Sequence, residues 1–257
     1  MRIGKFTASL LALGALAFGA CSTAADSAMG EQPVEAAKTV AVEASPGPAI
    51  WKIADEDTTI YLFGTVHLLQ KNTDWMTGTI ENAWQASNTV YFETDVSPAA
   101  DQAAGPLVMK YGMNPVGTTL SSYFNAEEIA KIAAYAEQYG VPMAGLDPMR
   151  PWLASLVISI SALQASGADP AAGVEKILYE RAIADGKDVR RFEELEQQLR
   201  FFADMDDKRA AELLLIGIDD AIENPDMFQD LVALWQKGDA EGLATMMNEG
   251  FTQAQDV

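Results

Sequence analysis

The chain is 257 residues long, with 37 acidic and 17 basic side chains and a formal net charge of −20. Such a surface repels phosphate backbones and anionic lipid headgroups, which excludes nucleic acid and acidic membrane surfaces as partners. Hydrophobic residues make up 49% of the chain, enough for a sizeable core, and beyond the N-terminus no apolar run reaches the roughly 18–20 residues of a membrane span.

Arg2 and Lys5 form a short basic segment, Phe6 to Gly19 an uncharged apolar run, and Ala20 precedes Cys21, the one cysteine. The run is too short to cross a bilayer as a helix, so the pattern predicts a secretory signal over 1–20. Ala17-Phe18-Gly19-Ala20 resembles a bacterial lipobox. On that reading Cys21 is acylated, becomes the mature N-terminus and serves as the lipid anchor. Ser22 behind it then points to the outer membrane, with the domain facing the periplasm. The alternative is a cleaved signal with an incidental cysteine. Losing Arg2 and Lys5 with the signal takes the charge of −20 down by two, to −22. One cysteine forms no internal disulfide, so the exported domain relies on its core. Residues 21–48, rich in Ala, Ser, Glu and Pro, read as a flexible tether, and 49–257 as one domain.

Thr58 to Phe63 is β-branched and aromatic and ends at Gly64, which predicts a strand. Trp75 to Asn88 places Met76, Ile80, Ala83 and Trp84 on one helical face. Thr89 to Phe92 is a second strand, ended by Glu93. Helices are predicted at 100–112 and 126–139, the latter with Asn125 as N-cap, Glu128 completing a capping box and Gly140 as the stop. Val141 to Leu146 reads as a short strand and Pro151 to Ser166 as a buried apolar helix. Ala171 to Asp185 reads as a helix closed by Gly186, followed by a strand at Val189 to Phe192. Helices at 194–203, 207–222, 225–237 and 240–248 complete the chain. Strand–helix–strand order near the N-terminus implies a parallel βαβ unit. The fold class is therefore α/β (or α+β), a partly parallel sheet with a helix-rich C-terminal half.

The segment that carries chemistry is Leu62-Phe63-Gly64-Thr65-Val66-His67, where a strand runs through Gly into the one histidine of the chain. In a parallel unit the C-terminal strand ends open at the same sheet edge, where ligands bind. His67 after the first strand and Glu93 after the second then converge. Imidazole nitrogen with carboxylate oxygen suits a divalent metal such as zinc, manganese or cobalt, which activates water for attack on a carbonyl. On spacing alone, a histidine after a strand is more often a capping or packing residue than a ligand, and a Glu at a strand end is commonly solvated. There is no Gly-rich phosphate loop with a lysine and no cysteine pair. Ser155, Ser159 and Ser161 lie in an apolar run and read as hydroxyls bonded to helix carbonyls.

Trp51-Lys52-Ile53 followed by Thr59-Ile60-Tyr61-Leu62-Phe63-Gly64-Thr65-Val66-His67-Leu68-Leu69 resembles the opening signature of the TraB/GumN family. Asn88 to Glu93, Met149-Arg150-Pro151-Trp152, Gly173-Val174-Glu175, Phe192 to Leu199 and Trp235 to Asp239 also resemble it, in order along roughly 50–245. The resemblance implies an erythromycin-esterase-like fold and a metal-dependent hydrolase of peptide or small-molecule substrates. It assigns His67 and Glu93 to the metal and Glu93 and Glu193 to catalysis, with Arg150 as a substrate-binding candidate. One departure is a second Gly-x-x-His element of the family, which this sequence lacks. A C-terminally incomplete domain is one expectation from that. A non-catalytic envelope protein that binds a ligand, haem or a partner is the alternative function.

Overall fold

The computed structural model describes residues 47–254. The signal, Cys21 and the tether up to residue 46 lie outside the described residues. Among those described, no helix is long and apolar enough to cross a membrane.

The first element is a hairpin: β1 (Ile50–Ala54) pairs antiparallel with β2 (Thr59–Phe63), Ile50 opposite Phe63 and Ala54 opposite Thr59. Asp55 closes its turn, its carboxylate accepting the backbone N–H groups of Asp57 and Thr58, a local bond that substitutes for backbone pairing. Phe63 packs inward against Trp75 and Trp235. The opposite face carries the cross-strand pairs Trp51–Leu62 and Ile53–Ile60, all partly to half exposed.

β3 (Leu69–Gln70) meets β5 (Ala168–Asp169) antiparallel, and α1 (Gly78–Ala86) buries Ile80, Ala83 and Trp84. β4 (Thr89–Phe92) pairs in parallel with β6 (Asp188–Arg191). The α/β class and its parallel pair are therefore present, but the pairing differs from the βαβ expectation. β2 and β4 belong to separate two-stranded sheets. A turn of a few residues closes β2 onto β1 with little loss of chain entropy, so β2 finds its partner locally. β4 finds its partner only after the chain has built the helices in between.

Those helices are α2 (Pro98–Gly112), α3 (Ala126–Glu137), α4 (Met143–Leu146), α5 (Pro151–Ala165) and α6 (Val174–Ala184), with short 3-10 turns at Leu120–Tyr123 and Pro170–Ala172. α3 has the expected capping box, Asn125 with Glu128, and Gly140 stops it with a φ of +73°. The strand expected over 141–146 is instead α4, a single turn. Val141 donates back to Ala136 to finish α3, and Asp147 donates to Met143, so this backbone is satisfied locally and Leu146 is free to enter the core. α5 lies between two hydrophobic clusters, which accounts for its nearly continuous apolar sequence. Ser159 donates to the carbonyl of Ser155 at 2.7 Å, as expected of a buried helical hydroxyl.

Four helices follow: α7 (Leu195–Ala203), α8 (Asp207–Glu223), α9 (Met227–Gln236) and α10 (Ala240–Ala254). α8 packs on α5, and α7 on α2. A separate cluster of Val66, Trp75, Trp84, Phe92, Val174 and Trp235 lies beneath the strand ends. It is the floor on which the candidate site stands.

Candidate active site

Every residue of the Gly64–His67 loop is tied to another element. The Gly64 carbonyl accepts the Trp235 indole N–H at 2.8 Å. Thr65 donates its hydroxyl to Glu175, the carbonyl of buried Val66 accepts Val174 N–H at 3.0 Å, and His67 Nδ1 lies 3.0 Å from Glu175 Oε1. α9 therefore holds one end of the loop and the first turn of α6 the other.

The helix expected from Ala171 begins later, because Pro170–Ala172 forms a 3-10 turn and Gly173 becomes the N-cap of α6. That shift puts Glu175 in the first turn, where the helix dipole favours a carboxylate. Gly173 is needed for closeness: a Cβ there would come 2.1 Å from the His67 carbonyl oxygen and 3.1 Å from that of Pro170. Both neighbours are backbone and neither swings aside. Gly173→Ala is expected to destabilise the fold by about 1–3 kcal/mol through overpacking and to separate Glu175 from His67. Thermal melts and the His67 ring resonances check both effects.

The electrostatics follow from this packing. Burial works against a charged imidazole at His67. The hydrogen bond and charge of Glu175, with a smaller contribution from Glu93, outweigh it and raise the pKa above the usual 6.5. Burial likewise opposes the Glu175 carboxylate, whose side chain is 12% exposed, but His67 and Thr65 hold it below its usual value. Two partly hidden groups thus stabilise each other as an ion pair. With Nδ1 committed to Glu175, Nε2 is the ring nitrogen left for other work.

Glu93 and Glu193 close the other side. The parallel ladder of β4 and β6 runs on past the strands, with Phe192 N–H donating to Phe92 at 3.0 Å and Glu193 N–H to Glu93 at 2.8 Å. Glu93 is near enough to His67, Glu175 and Glu193 to feel the charge of each. Burial is the main cause that raises its pKa, His67 counteracts this, Glu175 adds to it, Gln198 Nε2 at 3.4 Å counteracts it and Glu193 adds again. His67 and Glu93 are thus within electrostatic reach of each other, through the α6 start and the β4–β6 pair and not through the expected pairing of β2 with β4.

Arg150 is engaged elsewhere. Its guanidinium bonds Asp207 at 2.8 Å, the Tyr111 carbonyl at 3.0 Å and the Met205 carbonyl at 3.5 Å. Glu175 was not among the sequence candidates, although it is the direct partner of His67. The signal that was available is Gly173-Val174-Glu175, a glycine followed by a carboxylate at the N-terminus of a helix.

Two donors, His67 Nε2 and the Glu93 carboxylate, remain for a cation. Among the described residues, no group of three or more His, Cys, Asp or Glu is disposed to hold a metal ion. An imidazole whose Nδ1 is held by a carboxylate is nevertheless the arrangement in which metal-ligating histidines are usually oriented. The half-buried carboxylates also give a local excess of negative charge that a cation would relieve. Stable sites use three or four protein ligands, so these two donors do not by themselves complete a metal site among the described residues. The model of the TraB/PrgY/gumN family matches residues 49–257. No curated protein and no solved structure gives a match.

Proposed function

Because the chain belongs to the TraB/PrgY/gumN family, we propose that the cluster of His67, Glu175 and Glu93 is the reaction centre of a hydrolase acting on peptide or small-molecule carbonyl compounds. The observation that supports this most is the His67–Glu175 pair at 3.0 Å, with Glu93 close enough to feel the charge of both. One imidazole is fixed in orientation, and one carboxylate is kept ready to take a proton.

Glu175 holds the Nδ1 side of the ring and fixes which nitrogen faces the substrate. His67 presents Nε2 toward developing negative charge on the carbonyl oxygen. Glu93, whose pKa is raised mainly by burial, takes the proton of the attacking water and returns it to the leaving group. Glu193 adds negative charge that strengthens Glu93 as a base. His67 and Glu93 are the residues that would hold a zinc, manganese or cobalt ion, which would supply Lewis-acid activation of water. The protein works in the cell envelope, fixed to the outer membrane through an acylated Cys21 and facing the periplasm.

Isothermal titration of the purified protein with Zn²⁺, Mn²⁺ and Co²⁺, alongside His67→Ala, tests the metal part. One ion per chain in the wild type and none in the variant is expected. Equal stoichiometry and affinity in both would remove it. A panel of quenched fluorescent peptides tests the reaction, and cleavage that survives His67→Ala unchanged would rule this centre out. The small donor set favours a second reading, a non-catalytic ligand-binding protein, and a Soret band on reconstitution with haem would support it.

A further inference from the structure

β4 and β6 have two unlike faces. Val90, Phe92 and Val189 turn into the core. Tyr91 and Phe192 turn the other way and stack on each other, with centroids 5.0 Å apart and planes at 21°. Phe192 is 74% exposed and Tyr91 47%. Tyr91 is fixed from the side, since Arg190 Nη1 donates to its hydroxyl at 2.9 Å and the guanidinium lies 5.7 Å from its ring. The two rings therefore make a pinned aromatic platform open to solvent.

Its position gives it meaning. β4 ends at Phe92, so Tyr91 lies two residues before Glu93 in the chain, and Phe192, whose N–H donates to Phe92, directly precedes Glu193, whose N–H donates to Glu93. Two aromatic side chains supply at most roughly 300–500 Å² even when wholly covered. A standard protein interface takes ~800 Å² from each partner. The platform is the size of one more ring.

We propose that Tyr91 and Phe192 form a specificity subsite that stacks an uncharged aromatic side chain of the substrate next to the bond presented to Glu93. This rests on the hydrolase reading only in taking Glu93 as the reacting carboxylate. A third ring continues the stack in the offset geometry that aromatic pairs favour. Glu93 and Glu193 follow Phe92 and Phe192 in the chain and disfavour an anionic group nearby, so the preference is for neutral aromatic residues over acidic ones.

The test uses the whole protein with N-acetyl-L-phenylalaninamide and N-acetyl-L-alaninamide as probes, followed by NMR. The phenylalanine probe is expected to shift the ring resonances of Tyr91 and Phe192 and to bind more tightly than the alanine probe. Phe192→Ala is expected to weaken it about 3–10-fold, and Phe192→Trp to keep it. Phe192 is so exposed that the variants fold. Equal binding of the two probes, or binding indifferent to Phe192→Ala, overturns the proposal. So does a wild-type dimer that Phe192→Ala dissociates in sedimentation, because the platform's occupant would then be a second copy. His67→Ala separates the two readings. Phenylalanine-probe binding that persists there, with no peptide cleaved even by the wild type, keeps the subsite and removes the hydrolase.

Discussion

Glu175→Gln is expected to lower the titration midpoint of His67 and to cut hydrolysis about 10–100-fold, the usual cost of losing the carboxylate that orients a functional imidazole. The chain has a single histidine, so one Cε1–H resonance followed against pH reports the midpoint without assignment. In the wild type that midpoint lies above the usual value because Glu175 outweighs burial. The amide keeps the shape of the side chain and removes its charge. Burial then acts against the imidazolium with only Glu93 to oppose it. The midpoint must fall, and an unchanged midpoint would mean that the pair does not form in solution.

The same pair sets a stability profile. His67 has a raised folded pKa, so its contribution is complete below the unfolded value of 6.5 and is lost as pH rises through the folded one. Glu175 has a lowered folded pKa, so its contribution is complete above its unfolded value and is lost as pH falls through the folded one. Together they stabilise most in mildly acidic solution, between the unfolded ranges of the two groups. Glu93 runs the other way. Its raised folded pKa favours the protonated form, so it opposes folding above its unfolded value and ceases to do so as it protonates. In Glu175→Gln the fall of stability on the alkaline side is expected to flatten.

Local signals in the sequence carried far. Asn125 with Glu128 and Gly140 bracket α3 because capping is chemistry between neighbours in the chain. The apolar run after Pro151 marked a helix covered on several sides. What the sequence could not supply was partner choice. Thr89–Phe92 reads as a strand, but nothing in it says that Asp188–Arg191 rather than Thr59–Phe63 will pair with it. The site divides in the same way. His67 and Glu93 are visible because each ends an apolar strand. Glu175 is hidden by a helix start that depends on Pro170–Ala172 tightening into a 3-10 turn, and its value as a partner exists only once Val174 N–H meets the Val66 carbonyl. Val141–Leu146 fails for a related reason, since apolar composition without an available strand edge settles into a turn of helix.

Arg150→Ala is expected to act on the fold more than on substrate, with a loss of about 3 kcal/mol and a fall in melting temperature of about 6–12 °C for a domain of this size. Arg150 sits where three helices meet. Gly112 at the end of α2 accepts its backbone N–H, Pro151 behind it starts α5, and its guanidinium joins the Tyr111 and Met205 carbonyls to Asp207 at the start of α8. Its side chain is 19% exposed and that of Asp207 27%. Truncation leaves the Tyr111 carbonyl with only the Trp152 indole N–H at 3.4 Å and Asp207 with the Tyr123 hydroxyl at 3.0 Å. Arg150→Lys should recover only part of the loss, because one ammonium cannot fork toward a carboxylate and two carbonyls at once. A residue whose task was to hold substrate would raise KM and leave the melt in place, so calorimetry and kinetics on the same variant separate the two roles. A melt unmoved by Arg150→Ala would return Arg150 to the list of substrate contacts and would require the α2–α5–α8 corner to be held by its apolar packing alone.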